Sequence, residues 1–167
     1  RLAPVSYFVT PKGERVIDFG QNMTGYVELS IKAPRGARVV LHHAEVLDKE
    51  GNFYEGNMRS ATNEVTYILS GEEEIYKPTY TFQGYRYVKL VEYPFDEVEL
   101  DHFRSIAVNS NMTRTGRYRC GNEKINQLYH NVIWGQKGNY LDTPTDCPQR
   151  DERLGWTGDA QVFARTA

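Results

Sequence analysis

The strongest constraint on this chain is a series of short segments in which apolar and polar residues alternate. Between Val16 and about Val108 the pattern runs through YVELSIKA, ARVVLHHAEVL, EVTYILS, YRYVKLVEY and EVELDHFRSIAV, and turn residues separate the segments. Successive side chains of a strand point to opposite faces, so this alternation marks strands with one face buried. Pro34, Arg35 and Gly36 predict a tight hairpin, and Asp48 to Gly51 predict a second turn. Parallel strands need a crossover of about a dozen residues or more, usually a helix, and no such stretch separates these segments. The expected fold class is therefore mainly β: an antiparallel β-sandwich or jelly roll. Glu50 to Thr62 shows neither helical nor strand period and reads as a long loop, while Gly84 reads as a bulge marker.

After Asn111 helical spacing replaces alternation. Asn122 is a predicted cap for a helix whose apolar residues Ile125, Leu128, Tyr129, Val132 and Ile133 share one face, expected to be buried. Gly135 and Gly138 should weaken that helix. Pro144 and Pro148 make the next stretch extended or irregular, and a second helix is expected from about Thr157 through AQVFARTA. The resulting division is 1–109 for a sandwich module and 110–167 for the start of a helical domain. The first residues, RLAPVSYFVT, read as cut from a longer chain rather than as a signal peptide.

Composition removes several classes of function. Twenty Lys and Arg against 22 Asp and Glu give a formal charge of -2, so no global field draws the chain to nucleic acid or to an anionic membrane. The two cysteines, Cys120 and Cys147, have neither metal-ligand spacing nor the density of a disulfide scaffold, and read as buried free thiols. The four histidines form no cluster with them, so no metal site is expected. Aromatic residues, 13% of the chain, suit strands and also surfaces that stack on sugars or bases.

Between Asp142 and Asp159 lie Asp142, Asp146, Asp151, Glu152 and Asp159, with Arg150, Arg153 and Trp156 among them. Cleavage of a glycosidic bond needs one carboxylic acid to protonate the leaving oxygen and a second carboxylate on the opposite side of the sugar. Crowded carboxylates can keep one acid protonated while arginines hold the others ionised, and an indole face offers a platform for sugar C–H groups. On composition alone the simpler account is a solvated, charged helix start with Trp156 as a core anchor. Against it stand Pro144, Cys147, Pro148, Gly155 and Gly158, which suit an irregular loop that aims side chains into a pocket.

DCPQRDERLGWTGDAQ, Asp146 to Gln161, resembles the signature of the bacterial α-L-rhamnosidases of glycoside hydrolase family 78. DFGQNMTGYVELSI, Asp18 to Ile31, and HHAEVLDKEGNFY, His42 to Tyr54, resemble the opening of that family's β-sandwich module. The resemblance implies a concanavalin-like sandwich followed by the first helices of a truncated (α/α)6 barrel. It also implies an inverting hydrolase that removes terminal α-L-rhamnose from glycosides or polysaccharides. Carried over by position, Glu152 is the general acid, Asp146 and Arg150 bind rhamnose hydroxyls, Trp156 packs on the sugar, and Asp159 completes the polar floor. The general base lies outside these residues, so the chain alone is expected to be inactive. No cofactor is implied, and a homodimer of the full-length enzyme is compatible with the resemblance.

Other residues have plainer readings. Asp18, Gln21 and Asn22 are expected to form a turn bonded to its own backbone, the commoner arrangement, with a ligand-binding turn as the alternative. Arg86 should lie over its tyrosine neighbours, and Glu45 should be half-buried without assigned chemistry. For the sandwich itself two further roles stay open, carbohydrate binding without catalysis and plain support of the helical domain.

Overall fold

The computed structural model describes residues 1–167. Seven strands form one antiparallel sheet system: β1 (Ser6–Val9), β2 (Arg15–Ile31), β3 (Arg38–Ala44), β4 (Glu64–Ile68), β5 (Glu74–Tyr76), β6 (Gln83–Glu92) and β7 (Phe103–Ala107). A helix α1 (Glu123–Asn139), a small hairpin of β8 (Tyr140–Leu141) and β9 (Thr143–Pro144), and a short helix α2 (Thr157–Phe163) follow. No helix is long and apolar enough to cross a membrane.

β2 organises the sandwich. Its first part pairs with β1 and β6, and its last part with β7 and β5, so one 17-residue strand serves both layers. The transfer occurs at a bulge, where five steps along β2, Asp18 to Met23, match two along β6, Tyr87 to Tyr85. Extra residues on one strand bend it and raise its twist. Just beyond the bulge Gly25 pairs with Gln83 of β6 and Ala107 of β7, and a Cβ there would lie 1.9 Å from the Ile106 carbonyl oxygen. Only glycine fits that close approach.

Past the bulge Val27, Leu29 and Ile31 alternate into a core completed by Val39 and Leu41 of β3, Tyr67 of β4, Tyr85, Val88 and Leu90 of β6, and Phe103 of β7. Each such side chain, fully buried, contributes roughly 1.5–3 kcal/mol. The hydroxyls carried inside by two tyrosines are paired: that of Tyr67 donates to the Val27 carbonyl at 2.6 Å, and those of Tyr85 and Ser105 meet at 2.6 Å. His43 packs edge-on against Tyr85, its Nδ1 2.8 Å from the Asn63 carbonyl, and burial pulls its pKa down to about 4.

The segment between β3 and β4 folds back over the other face of the sheet. Its Phe53 and Met58 bury Val16 and Ala44 in a second, smaller cluster. Glu55, in the same segment, accepts from Lys89 Nζ at 2.8 Å and Asn63 Nδ2 at 2.7 Å and meets His42 Nδ1 at 2.7 Å. Burial opposes its ionisation, but these three contacts outweigh burial and hold the carboxyl below its ordinary range.

Several expectations change. The turn at Pro34 closes with a 3.0 Å bond from the Ala37 N–H to the Pro34 carbonyl, but β2 and β3 do not pair. They lie on either side of β6, because β6 offers each of them an antiparallel edge. Gly84 sits in regular register opposite Thr24 and marks no bulge. The segment EVELDHFRSIAV is a strand only from Phe103, preceded by a 3-10 turn, Leu100–His102. Both cysteines are free but only half-buried.

Asn122 caps α1 as expected, its Oδ1 accepting from the Lys124 N–H at 3.0 Å. The helix continues through Gly135 and Gly138, where the Thr24 hydroxyl donates to the Gly138 carbonyl at 3.0 Å and ties it to β2. Its expected buried face is open: Leu128 is 61% exposed, and Ile125 and Val132 are 43% exposed. Trp134 and Gly138 face the sandwich instead, because that is where β2 leaves room for the helix.

Candidate functional site

The Asp146–Gln161 stretch leaves the β8–β9 hairpin, whose tip Asp142 has φ +65°. It has no helix or strand before α2, in keeping with its prolines and glycines. It rests directly on the sheet. A Cβ on Gly84 of β6 would lie 2.7 Å from Gln149 Cβ and 2.9 Å from Gln149 Cα, so glycine there lets the loop reach the strand backbone. Arg153 fastens the same contact, donating to the Phe82 carbonyl at 3.3 Å with its guanidinium 4.7 Å above the Phe82 ring centre.

Glu152 is half-buried between two guanidiniums. Arg59 Nη1 lies 2.7 Å and Arg150 Nη2 2.8 Å from the same carboxylate oxygen, Oε2. Neither guanidinium aims an N–H along the line to Oε2, so these are ion pairs without an aligned hydrogen bond. Donor atoms of Asp146, Cys147 and Glu152 lie within 4.8 Å of one another. Burial first, and then the charge of Asp146, push the Cys147 thiol up. These three could share a cation by distance, but the two arginines against Glu152 oppose one. Beside them Asp151 accepts from the Ser60 hydroxyl and, at 3.4 Å, from the Ser60 N–H; the Ser60 hydroxyl is the main reason its carboxyl titrates below the ordinary range.

Asp146, Trp156 and Asp159 line a cleft of about 430 Å³ together with Tyr140, Pro144 and Phe163. Trp156 is 46% exposed there and is no core anchor. Asp146 joins the two groupings, since it borders this cleft and also stands beside Glu152; its Oδ1 is buried without a hydrogen-bond partner. Asn139, on the same cleft wall, likewise has an unpartnered Oδ1. Glu152 and Arg150 form the adjoining cluster and do not line the cleft. A larger cleft of about 710 Å³ lies between the β2 bulge and α1, bordered by Gln21, Asn22, Glu45, Arg86, Trp134 and Asp146 among others.

The plainer readings hold in part. The Asp18 carboxylate accepts from its own Gly20 N–H at 2.6 Å, as a self-bonded turn should, and also takes a bidentate pair from Arg86 at 2.8 and 2.7 Å. Arg86 also lies 4.9 Å over the Tyr87 ring. Half-buried Glu45 accepts from Asn22 at 2.9 Å and from Asn57 at 3.4 Å. Sequence reasoning missed Arg59, Ser60 and Asn139. For Arg59 and Ser60 the available signal was the length of the irregular Glu50–Thr62 segment, since long loops without structure of their own are often functional; nothing in the sequence singled out Asn139.

The class of protein is a β-sandwich module running into the opening of a helical domain, with a carboxylate and arginine cluster beside an indole-lined cleft at their junction. Residues 9–109 match the bacterial alpha-L-rhamnosidase concanavalin-like domain, and residues 113–167 match the bacterial alpha-L-rhamnosidase 6 hairpin glycosidase domain. The chain belongs to the bacterial α-L-rhamnosidase family. It is 43% identical over 98% of its length to an alpha-L-rhamnosidase of Streptomyces avermitilis and 42% identical over 98% to one of Alteromonas sp., and spans 16% and 18% of those proteins. Among solved structures, the Streptomyces avermitilis alpha-L-rhamnosidase complexed with L-rhamnose superimposes with a TM-score of 0.92 at 41% identity, over 99% of this chain and 16% of that one. The Aspergillus terreus enzyme gives 0.91 at 38% identity, over 98% of this chain and 19% of that one.

Proposed function

We propose that this chain is part of an α-L-rhamnosidase that removes terminal α-L-rhamnosyl residues from glycosides or polysaccharides with inversion. Residues 1–109 are the sandwich module and residues 110–167 open the six-hairpin catalytic domain. The observation that carries the reading is the meeting of Glu152 and Asp146 beside a cleft walled by Trp156 and Asp159.

In this reading Glu152 protonates the glycosidic oxygen as the bond to the anomeric carbon breaks. A base outside these residues takes a proton from the water that attacks the opposite face. The two carboxyls of an inverting pair stand roughly 6.5–9.5 Å apart to admit that water. Asp146 and Arg150 bind sugar hydroxyls, Trp156 packs against the apolar face of the ring, and Asp159 closes the polar floor. The test is Glu152→Gln in the full-length protein, assayed on an α-L-rhamnoside whose product anomer is followed by NMR. Collapse of turnover with rhamnose binding retained supports the acid role, and turnover at the unmutated rate overturns it. Residues 1–167 alone should give no appreciable turnover.

A further inference from the structure

The segment that crosses from the sandwich to Glu152 is built to hold one shape. Met58 is buried under it in the cluster with Val16, Ala44 and Phe53, and the Ala61 N–H donates to the Met58 carbonyl at 3.1 Å. That bond closes a turn whose two central residues are Arg59 and Ser60. Upstream, Glu55 anchors the segment to Lys89 of β6. Arg59 has φ +56°, a left-handed conformation that non-glycine residues seldom adopt and that persists where the surroundings enforce it. Both central residues reach the same short stretch of the acidic motif: Ser60 holds Asp151 by hydroxyl and N–H, and Arg59 holds Oε2 of the adjacent Glu152.

We infer that the Met58–Ala61 turn of the sandwich positions the general acid, with Arg59 holding Oε2 of Glu152 so that Oε1 is the oxygen left to act. The inference rests on the reading of Glu152 as the acid. Arg150 belongs to the same loop as Glu152 and moves with it. Arg59 comes from a different module and fixes the carboxyl relative to the sandwich. Arg59 and Ser60 are positioning residues, and through them the sandwich takes part in catalysis beyond supporting the helical domain.

Acid positioning has a signature that plain structural damage lacks. A poor leaving group, such as an alkyl alcohol, needs its proton in the transition state, whereas dinitrophenolate departs with little help. The experiment is therefore Arg59→Ala in the full-length protein, with kcat and KM measured on an alkyl and on a dinitrophenyl α-L-rhamnoside, alongside Glu152→Gln. Thermal unfolding of each variant is followed in parallel. For Arg59→Ala, kcat on the alkyl substrate should fall by about tenfold or more, the scale expected of a slightly misplaced catalytic group, while kcat on the dinitrophenyl substrate and both KM values change little. Arg59→Lys should recover most of the loss, and Ser60→Ala should show a weaker form of the same split, which keeps the test open if Arg59→Ala does not fold.

An equal loss on both substrates in the folded variants, or no loss, overturns the positioning role. If Glu152→Gln shows the leaving-group split and the Arg59 and Ser60 variants do not, the positioning inference alone fails. If Glu152→Gln shows none, the acid assignment has failed first.

Discussion

The sandwich and the helical segment treat their apolar residues in opposite ways. Ile17, Leu29, Tyr85 and Phe103 are wholly enclosed, whereas Leu128 on α1 is 61% exposed. Both regions carry a correct periodic pattern. An apolar stripe shows which face of an element can be covered, and only the neighbours available decide whether it is. In the sandwich those neighbours are within the 167 residues, because β2 serves both layers and the segment after β3 returns over the outer face. On α1 the covered side is the one carrying Trp134 and Gly138, which meets β2.

The contrast can be tested at several strengths. The largest effect should come at the junction of the two regions, where Glu152→Gln is expected to lower kcat of the full-length protein by roughly 10²–10⁴, the range of general acid catalysis, with rhamnose affinity kept in calorimetric titration. Within the sandwich, Phe103→Ala should cost about 3–5 kcal/mol in urea unfolding, because it empties a fully enclosed site. A loss under 1 kcal/mol would mean that the core is less closed than the packing indicates.

His43 makes the sandwich sensitive to pH. Its folded pKa of about 4 lies below its ordinary value of 6.5, so between those limits the unfolded chain binds more protons than the folded one. Stability is full above about pH 6.5, is lost as pH falls toward 4, and loses nothing more from this group below that; the loss is roughly 3 kcal/mol. Urea unfolding across that range checks the slope, and NMR should find the His43 ring neutral at pH 5.

Two smaller effects separate the helical segment from the sandwich. Asn122→Ala removes the cap on the Lys124 N–H and should cost about 1 kcal/mol. In residues 1–167 alone, Leu128→Ala should change stability by less than about 0.5 kcal/mol. Repeated in the full-length protein, the same substitution reports whether further chain covers that face: a cost of 2 kcal/mol or more, about that of a buried leucine, means that it does.

Much of the fold was legible in order along the chain. Alternation located β3, β4 and β6 and the later part of β2, and Asn122 marked the start of α1 to the residue. Pairing was not legible. The Pro34 turn looked like a hairpin, yet β6, some fifty residues later, separates the strands it joins. Alternation also ran through Leu100–His102, where the backbone makes a 3-10 turn, since period alone does not register backbone conformation. Gly84 was read as a bulge marker, yet it pairs in register with Thr24, and its missing side chain instead admits Gln149.

The acidic motif was readable as residues and not as a place. Its prolines and glycines pointed to an irregular loop, and its residue types with the family resemblance nominated Glu152, Asp146, Arg150, Trp156 and Asp159 as candidates. What surrounds Glu152 could not be read, because Arg59 and Ser60 come from a loop more than ninety residues earlier that has no period of its own. Side-chain chemistry and local periodicity act over a few residues, and sequence alone determines them. Which strand becomes whose neighbour, which face of α1 is covered and which arginine meets Glu152 depend on chain segments brought together only by the closing of the sandwich, and the tertiary structure decided those.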